Sequence, residues 1–278
     1  MRPPILILTA CLLLGLRTPA CADNTSSRPH IIVPQSRVAP IVTADPADPA
    51  WLSAAVIPAL TLSPGDDNNG FSAMPTEVRL LWDQDNLYVR FICTATETYA
   101  PLRKHDADLY RGDVAEVFLD IKGDSKQWFE IEVSPYNATL EQLTTLTADP
   151  ESDSNLLLSG AVVNRDWWPD RSFDPPGLRT AASIQKSKGS VSGWIVDMAL
   201  PATPMLHRVG EIKYGPMTLR ANFVRYEYPR GSGPNSPRRL MAMNWAPVVF
   251  GCSHISPKAM GYVDLSISQP AKQGATPE

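Results

Sequence analysis

The chain has 278 residues, 44% hydrophobic and 19% charged, which is the mix of a globular protein and excludes a disordered or fibrous one. A formal net charge of −4 leaves no basic footprint and argues against nucleic acid as a partner. Proline, with 27 residues, stands at about twice its usual share of roughly 5%; because it interrupts helices and central strands alike, it points to a loop-rich β protein.

Met1-Arg2 gives a positive start, Ile5 to Leu16 an apolar run, and Ala20-Cys21-Ala22 a small-x-small cleavage pattern. The run is shorter than the ~20 residues that span a bilayer. Residues 1–22 therefore read as a signal peptide, and the destination as secreted or periplasmic. Lipoprotein anchoring is the competing reading. Leu8-Thr9-Ala10-Cys11 has lipobox-like chemistry but lies very early, and Thr18-Pro19-Ala20-Cys21 is better placed but a poor match. No later stretch is long and apolar enough for a transmembrane segment. Residues 23–38, polar with scattered Ser and Pro, read as a flexible lead-in, and 269–278 as a tail. Beyond the signal peptide the cysteines are Cys93 and Cys252. An oxidising compartment allows them to pair; two separate buried thiols fit equally well.

From residue 39 to 268 apolar residues recur with period 2. Val78, Leu80 and Trp82 alternate with Glu77, Arg79 and Leu81; after a polar turn at Asp83 to Asn86, Leu87, Val89, Phe91 and Cys93 alternate with Tyr88, Arg90 and Ile92. This spacing predicts a hairpin. Asp113 to Asp120 and Trp128 to Val133 form the next pair around Lys122-Gly123-Asp124. Ala115, Val117, Leu119, Phe129, Ile131 and Val133 share one face of it. Trp194 to Leu200, Leu219 to Tyr228 and Tyr262 to Ile267 are further strands, and Pro150 to Gly177 reads mostly as loop. Short strands without intervening helices predict a single all-β domain, an antiparallel two-sheet β-sandwich of jelly-roll or immunoglobulin-like type.

The common catalytic signatures are missing: no nucleophile elbow, no phosphate-binding loop, no His-Glu-x-x-His. His30, His105, His207 and His254 have no metal-ligand spacing to one another or to a cysteine. Carboxylates are plentiful. Glu130 and Glu132 share a strand face, and Glu116 joins them if its strand pairs in the same sheet. Such a row suits a glycosidase pair, hydrogen bonds to sugar hydroxyls, or plain solvent.

Several segments in order resemble family 9 carbohydrate-binding modules. They are Thr76 to Asp83 with Asn86-Leu87-Tyr88-Val89, Leu109 to Asp120, Phe129 to Val133, Pro135-Tyr136-Asn137, Gly193 to Pro201, Asn222-Phe223 with Arg225, Asn244 to Pro247, and Gly261 to Leu265. The resemblance implies a sandwich without catalytic machinery, a sugar site on one sheet face, and structural calcium in some members. Two aromatic rings clamp the sugar in that family. A pyranose has apolar C–H faces for the rings and a polar rim for carboxylates and amides. Position by position, the first clamp falls on Tyr110, the carboxylate on Glu116, the next polar position on Glu130, and the second clamp on His254, where the family has Trp. Tyr226 and Trp245 are further candidates. Trp167-Trp168 reads either as an exposed binding feature or as a loop staple. Asp120 and Asp124 offer a partial calcium loop.

The implied ligand is a mono-, oligo- or polysaccharide, bound without catalysis during polysaccharide degradation outside the cytoplasm. Any glycoside hydrolase partner is expected to be a separate protein. Three alternatives compete with this. Related sandwiches hold haem between Met and His or Lys, which brings in Met241, Met243, Met260 and His254. A glycosidase would act through Glu116 and Glu130. A surface or assembly protein would have lost the sugar site, which His254 in place of Trp favours.

Overall fold

The computed structural model describes residues 28–63, 71–146, 167–210, 213–231, 236–248, 252–254 and 257–267. The predicted signal peptide and tail lie outside them. Strands run in the order β1 (His30–Pro34), β2 (Ala55–Ile57), β3 (Thr61–Leu62), β4 (Thr76–Trp82), β5 (Asn86–Thr94), β6 (Val114–Asp120), β7 (Gln127–Val133), β8 (Thr139–Leu146), β9 (Trp167–Asp170), β10 (Arg179–Ser187), β11 (Ser190–Pro201), β12 (Met217–Glu227), β13 (Met241–Asn244) and β14 (Gly261–Ser266). One α-helix, α1 (Ala202–Val209), follows β11 among the described residues.

The strands form two sheets packed face to face, an all-β sandwich. The larger sheet has the order β1-β14-β12-β6-β7-β8-β9, with β13 continuing along β12 past β14, and β3 on β13. The smaller has the order β10-β11-β5-β4-β2. Pairing between these strands is antiparallel except for β1 with β14, which is parallel. The period-2 pattern sets the core. Val78, Leu80, Trp82, Val89, Phe91 and Val196 of the smaller sheet meet Ala115, Val117, Leu119, Ile131, Phe223 and Val263 of the larger. Each large apolar side chain enclosed there contributes about 1.5–3 kcal/mol relative to exposure.

The outward face of the smaller sheet is covered. Trp51, in a 3-10 turn at Pro49–Ser53, packs on Leu81, Tyr88 and Ala199. Beneath it Arg90 grips Asp197 through two hydrogen bonds of 2.7 and 2.9 Å, with its guanidinium 4.7 Å from the Trp51 ring centre. The main-chain N–H of Ala44 donates to the same carboxylate at 2.8 Å.

Three parts of the sequence reading need correction. The lead-in expected to be flexible contains β1: Val33 is fully buried, and the Trp82 indole N–H donates to the Val33 carbonyl at 3.1 Å. A five-residue strand joined to the far end of the chain leaves little local periodicity to read. Part of the stretch read mostly as loop, Pro150 to Gly177, is β9; residues 150–166 lie outside the described residues. Strand β8 lacks the alternation signal because Glu141 interrupts its core-facing side, while its outward-facing Gln142 and Thr144 are polar yet buried. Cys93 lies in the core and Cys252 does not pair with it, so the two are separate thiols. Burial pushes the Cys93 thiol up to about 12.

Candidate functional site

Alternation sends Val114, Glu116 and Phe118 of β6 and Trp128, Glu130 and Glu132 of β7 to the outward face of the larger sheet. Register then sets the neighbours. Glu116 stands directly opposite Glu132 on one side and Val224 on the other; Glu130 lies between Phe118 and Gln142, and Trp128 opposite Thr144. Phe118, Trp128, Val224 and Met260 form an apolar floor. Glu116, Glu130, Glu132 and Gln142 are all buried among these groups.

Three enclosed carboxyls on one face cannot all ionise cheaply, because like charges opposite one another in a sheet repel and burial disfavours charge. Burial, with the Glu130 charge beside it, pushes the Glu116 carboxyl well above the ordinary range. Burial and then the neighbouring Glu116 and Glu130 do the same to Glu132. For Glu130 burial also acts upward, but His254 and Gln142 outweigh it and leave it below the ordinary range. Oε2 of Glu130 accepts from the Gln142 amide and faces Nε2 of His254 at 2.7 Å. The Trp128 indole N–H donates to the other ring nitrogen, Nδ1, at 3.0 Å. Indole is a donor only, so Nδ1 carries the lone pair and Nε2 the proton.

His254 is thus caged. Trp167 stacks on its ring with centroids 4.4 Å apart and planes 10° apart, and Phe118 meets it edge-on at 5.3 Å. Strand β9 supplies Trp167, whose neighbour Trp168 is 72% exposed. Just after β9, Arg171 donates to Gln142 and to Asp108, both at 3.1 Å, tying this end of the face to the 3-10 turn Leu109–Arg111. The segment that carries His254 is anchored from β12. The Asn222 amide donates to the Ala246 carbonyl and the Ser253 hydroxyl, and its Oδ1 accepts from the Ala246 N–H at 2.8 Å.

The structure brings Glu116, Glu130 and His254 together on one face. Tyr226 adjoins them, partly buried between the apolar floor and the Leu109, Val114 and Leu140 group. Burial, then Glu116, drives its hydroxyl well above the ordinary value. Tyr110 lies in the 3-10 turn with a partly buried side chain, its carbonyl accepting from the Tyr228 hydroxyl at 2.7 Å. Trp245 does not belong to this face: it packs on Phe223, at 5.5 Å, and over Gly261 on the core side. Sequence reasoning grouped Glu132 with Glu116 and Glu130 but missed Gln142, the role of Asn222 and the tether from Trp128. Strand register reveals the first, and the contacts of Ala246, Ser253 and His254 the others.

Two cofactor readings were open. Both oxygens of Asp120 accept turn N–H groups, from Gly123 and Ser125 at 2.8 Å, and Asp124 accepts from Lys126 and faces Lys122. These hydrogen bonds hold the Lys122-Gly123-Asp124 turn closed. For haem, Met241 and Met243 belong to the sandwich core, whereas Met260 lies on the outward floor. Both nitrogens of His254 are already engaged. These residues do not assemble an axial ligand pair.

The sequence profile of a family described as "Carbohydrate family 9 binding domain-like" matches residues 44–215. No curated protein matches the chain. Among solved structures, the chain is similar to a candidate carbohydrate-binding protein of Bacteroides uniformis ATCC 8492. The TM-score is 0.61 and the identity 11%, over 86% of this chain and 100% of that one. It is also similar to a family 9 carbohydrate-binding module of Caldicellulosiruptor kristjanssonii in complex with glucose, with a TM-score of 0.54 and 14% identity over 90% and 100% of the two chains. A structure of such a module from the same organism with cellotriose gives 0.53 and 13% over 90% and 99%. At these identities the structural likeness speaks for the fold.

Proposed function

The chain belongs to the carbohydrate family 9 binding domain-like family, and on that premise we propose that it binds a sugar on the outward face of its larger sheet. One observation carries this reading. Oε1 of Glu116, Oε2 of Glu132, Oγ1 of Thr144 and Nε1 of Trp167 are buried, without a hydrogen-bond partner, and belong to that one face. An unpartnered buried polar group costs about 1–3 kcal/mol. A face that gathers several is one whose partners come from outside, and hydroxyls, which both donate and accept, suit this mixture.

Trp167, half-buried and backed by the His254 imidazole, is the broad apolar platform for a pyranose face, with Tyr110 and Tyr226 as further rings. Glu116 and the Glu130–Gln142 pair take the hydroxyls. The sugar enters where Trp167 covers His254. Glucose and short β-glucans are the first ligands to try, because the Caldicellulosiruptor modules are solved with glucose and cellotriose. The protein acts as a non-catalytic binder outside the cytoplasm, alongside separate glycoside hydrolases. This placement rests on the signal-like residues 1–22.

Titration calorimetry with glucose and cellotriose, and affinity electrophoresis in soluble polysaccharides, test the reading. Wild type is expected to bind at least one of these. Glu116→Gln and Trp167→Ala are each expected to weaken that binding by about tenfold or more, the equivalent of 1.4 kcal/mol. If wild type binds no sugar, or both variants bind as tightly as wild type, the assignment fails.

A further inference from the structure

A second group of polar side chains lies away from this face, at the edge of the larger sheet where β8 has not yet met β9. The loop after β5 docks there through the Asp106 N–H, which donates to the Thr139 carbonyl at 3.0 Å. Asp106 adopts a left-handed backbone, φ 61°, a conformation that short polar residues tolerate and most others avoid. Glu141, opposite core-facing Ile131, points to the sandwich side and is 2% exposed. From the segment after β9, Phe173 anchors against Phe129, with centroids at 5.9 Å, and presents Asp174 to the same place.

His105 joins these carboxylates. Its Nε2 is 3.0 Å from Oε2 of Glu141 and 3.6 Å from Oδ1 of Asp174, and its Nδ1 is 3.2 Å from Oδ2 of Asp106. One ligand atom from each of His105, Asp106, Glu141 and Asp174 lies within 4.8 Å of all the others. A cluster of this kind is common on surfaces, but here two of its oxygens are buried without hydrogen bonds: Oε2 of Glu141 and Oδ1 of Asp106. For Glu141, almost fully enclosed and aimed into the cluster, even the 3.0 Å approach of His105 is out of hydrogen-bond alignment.

We propose that His105, Asp106, Glu141 and Asp174 bind a divalent transition-metal ion, with zinc as the metal to test. Three carboxylates around one imidazole leave a negative excess that a dication neutralises. The imidazole selects a borderline ion such as zinc over calcium, which prefers an all-oxygen shell. Four-coordinate zinc holds its ligands at 2.0–2.2 Å, placing ligand atoms roughly 3.3 Å apart. His105 and Asp174, with side chains 51% and 67% exposed, have the freedom to close in on the fixed Glu141. The ion would cross-link the loop after β5, strand β8 and the segment after β9. It is separate from the sugar face and does not depend on it.

The test uses the full chain stripped with EDTA, then titrated with zinc chloride or calcium chloride. Wild type is expected to take up one zinc at this site, and its Tm to rise by roughly 5–10 °C at a hundredfold excess over Kd. His105→Ala and Asp174→Asn change exposed residues, so both fold, and each is expected to lose that zinc and that rise. Calcium at the same concentration is expected to give neither. The proposal is overturned if wild type takes up no zinc, if both variants keep the same stoichiometry and Tm rise, or if calcium reproduces the variant-sensitive effect.

Discussion

The indole N–H of Trp128 meets Nδ1 of His254 at 3.0 Å, and this one hydrogen bond sets how the outward face is charged. It leaves the ring proton on Nε2, aimed at Glu130 2.7 Å away. Glu130 can then stay ionised among buried neighbours while Glu116 and Glu132 keep their protons. A Trp in place of His254 could not do this, since indole has no acceptor nitrogen. His254 therefore sets the electrostatics of the face as well as backing the Trp167 ring.

Nitrogen-15 NMR of the imidazole at neutral pH checks this arrangement. His254 is expected to show an unprotonated Nδ1 and a protonated Nε2. Trp128→Phe keeps a ring on the floor but leaves Nδ1 buried without a donor. It is expected to cost about 1–3 kcal/mol in addition to any loss of packing, read as a lower denaturation midpoint. Wild-type stability in that variant would remove the role assigned to Trp128.

Stability should also depend on pH through Glu116 and Glu132. Both hold their protons more tightly folded than unfolded, where the ordinary value is 4.5. The folded state then binds more protons, so their contribution is complete below about pH 4.5 and is lost as the pH rises through the raised folded values. Glu116→Gln removes a carboxyl that must either keep its proton or ionise in a buried place. Calorimetric Tm values are expected to favour Glu116→Gln over wild type at pH 8 and to converge near pH 4.5. A Tm difference that does not change between these pH values would count against a shared proton cluster.

Much of the sandwich could be read from alternation. Val78, Leu80 and Trp82, or Phe129, Ile131 and Val133, are apolar on one face because that face lies between two sheets. Glu116 and Glu130 could be aligned with a known pattern because each sits in a recognisable local segment, and His254 by its distance before Gly261. The role of Asn222 could not be read. It is an ordinary polar residue in its strand, and only Ala246 and Ser253, distant in sequence, give it partners. The same holds for Gln142 and Thr144, polar positions in a strand whose outward face is enclosed.

Asn222 is accordingly expected to act at a distance on the sugar face. Asn222→Ala leaves the buried Ala246 N–H without its acceptor and releases Ser253, next to His254. The stability cost should be about 1–3 kcal/mol. Because the backing of Trp167 shifts with His254, sugar affinity should also fall, although Asn222 reaches no sugar. Calorimetric titration of the folded variant checks this. Undiminished affinity would show that His254 is held by other contacts.

Gly261 opens β14 where the Trp245 ring crosses the end of the sheet. A Cβ there would stand 2.5 Å from Cζ3 of Trp245 and 2.7 Å from the Pro29 carbonyl oxygen. The ring packs on Phe223 at 5.5 Å, and the carbonyl belongs to main chain that receives the Tyr262 N–H at 2.9 Å. Gly261→Ala is therefore expected to destabilise by about 1–3 kcal/mol, the usual cost of overfilling a packed interior. Trp245→Leu in the same chain should recover only part of this, because the Pro29 contact remains. Urea denaturation of the single and double variants measures both quantities. Full recovery in the double variant would place the whole clash on Trp245 and free the β1 edge of any part in it.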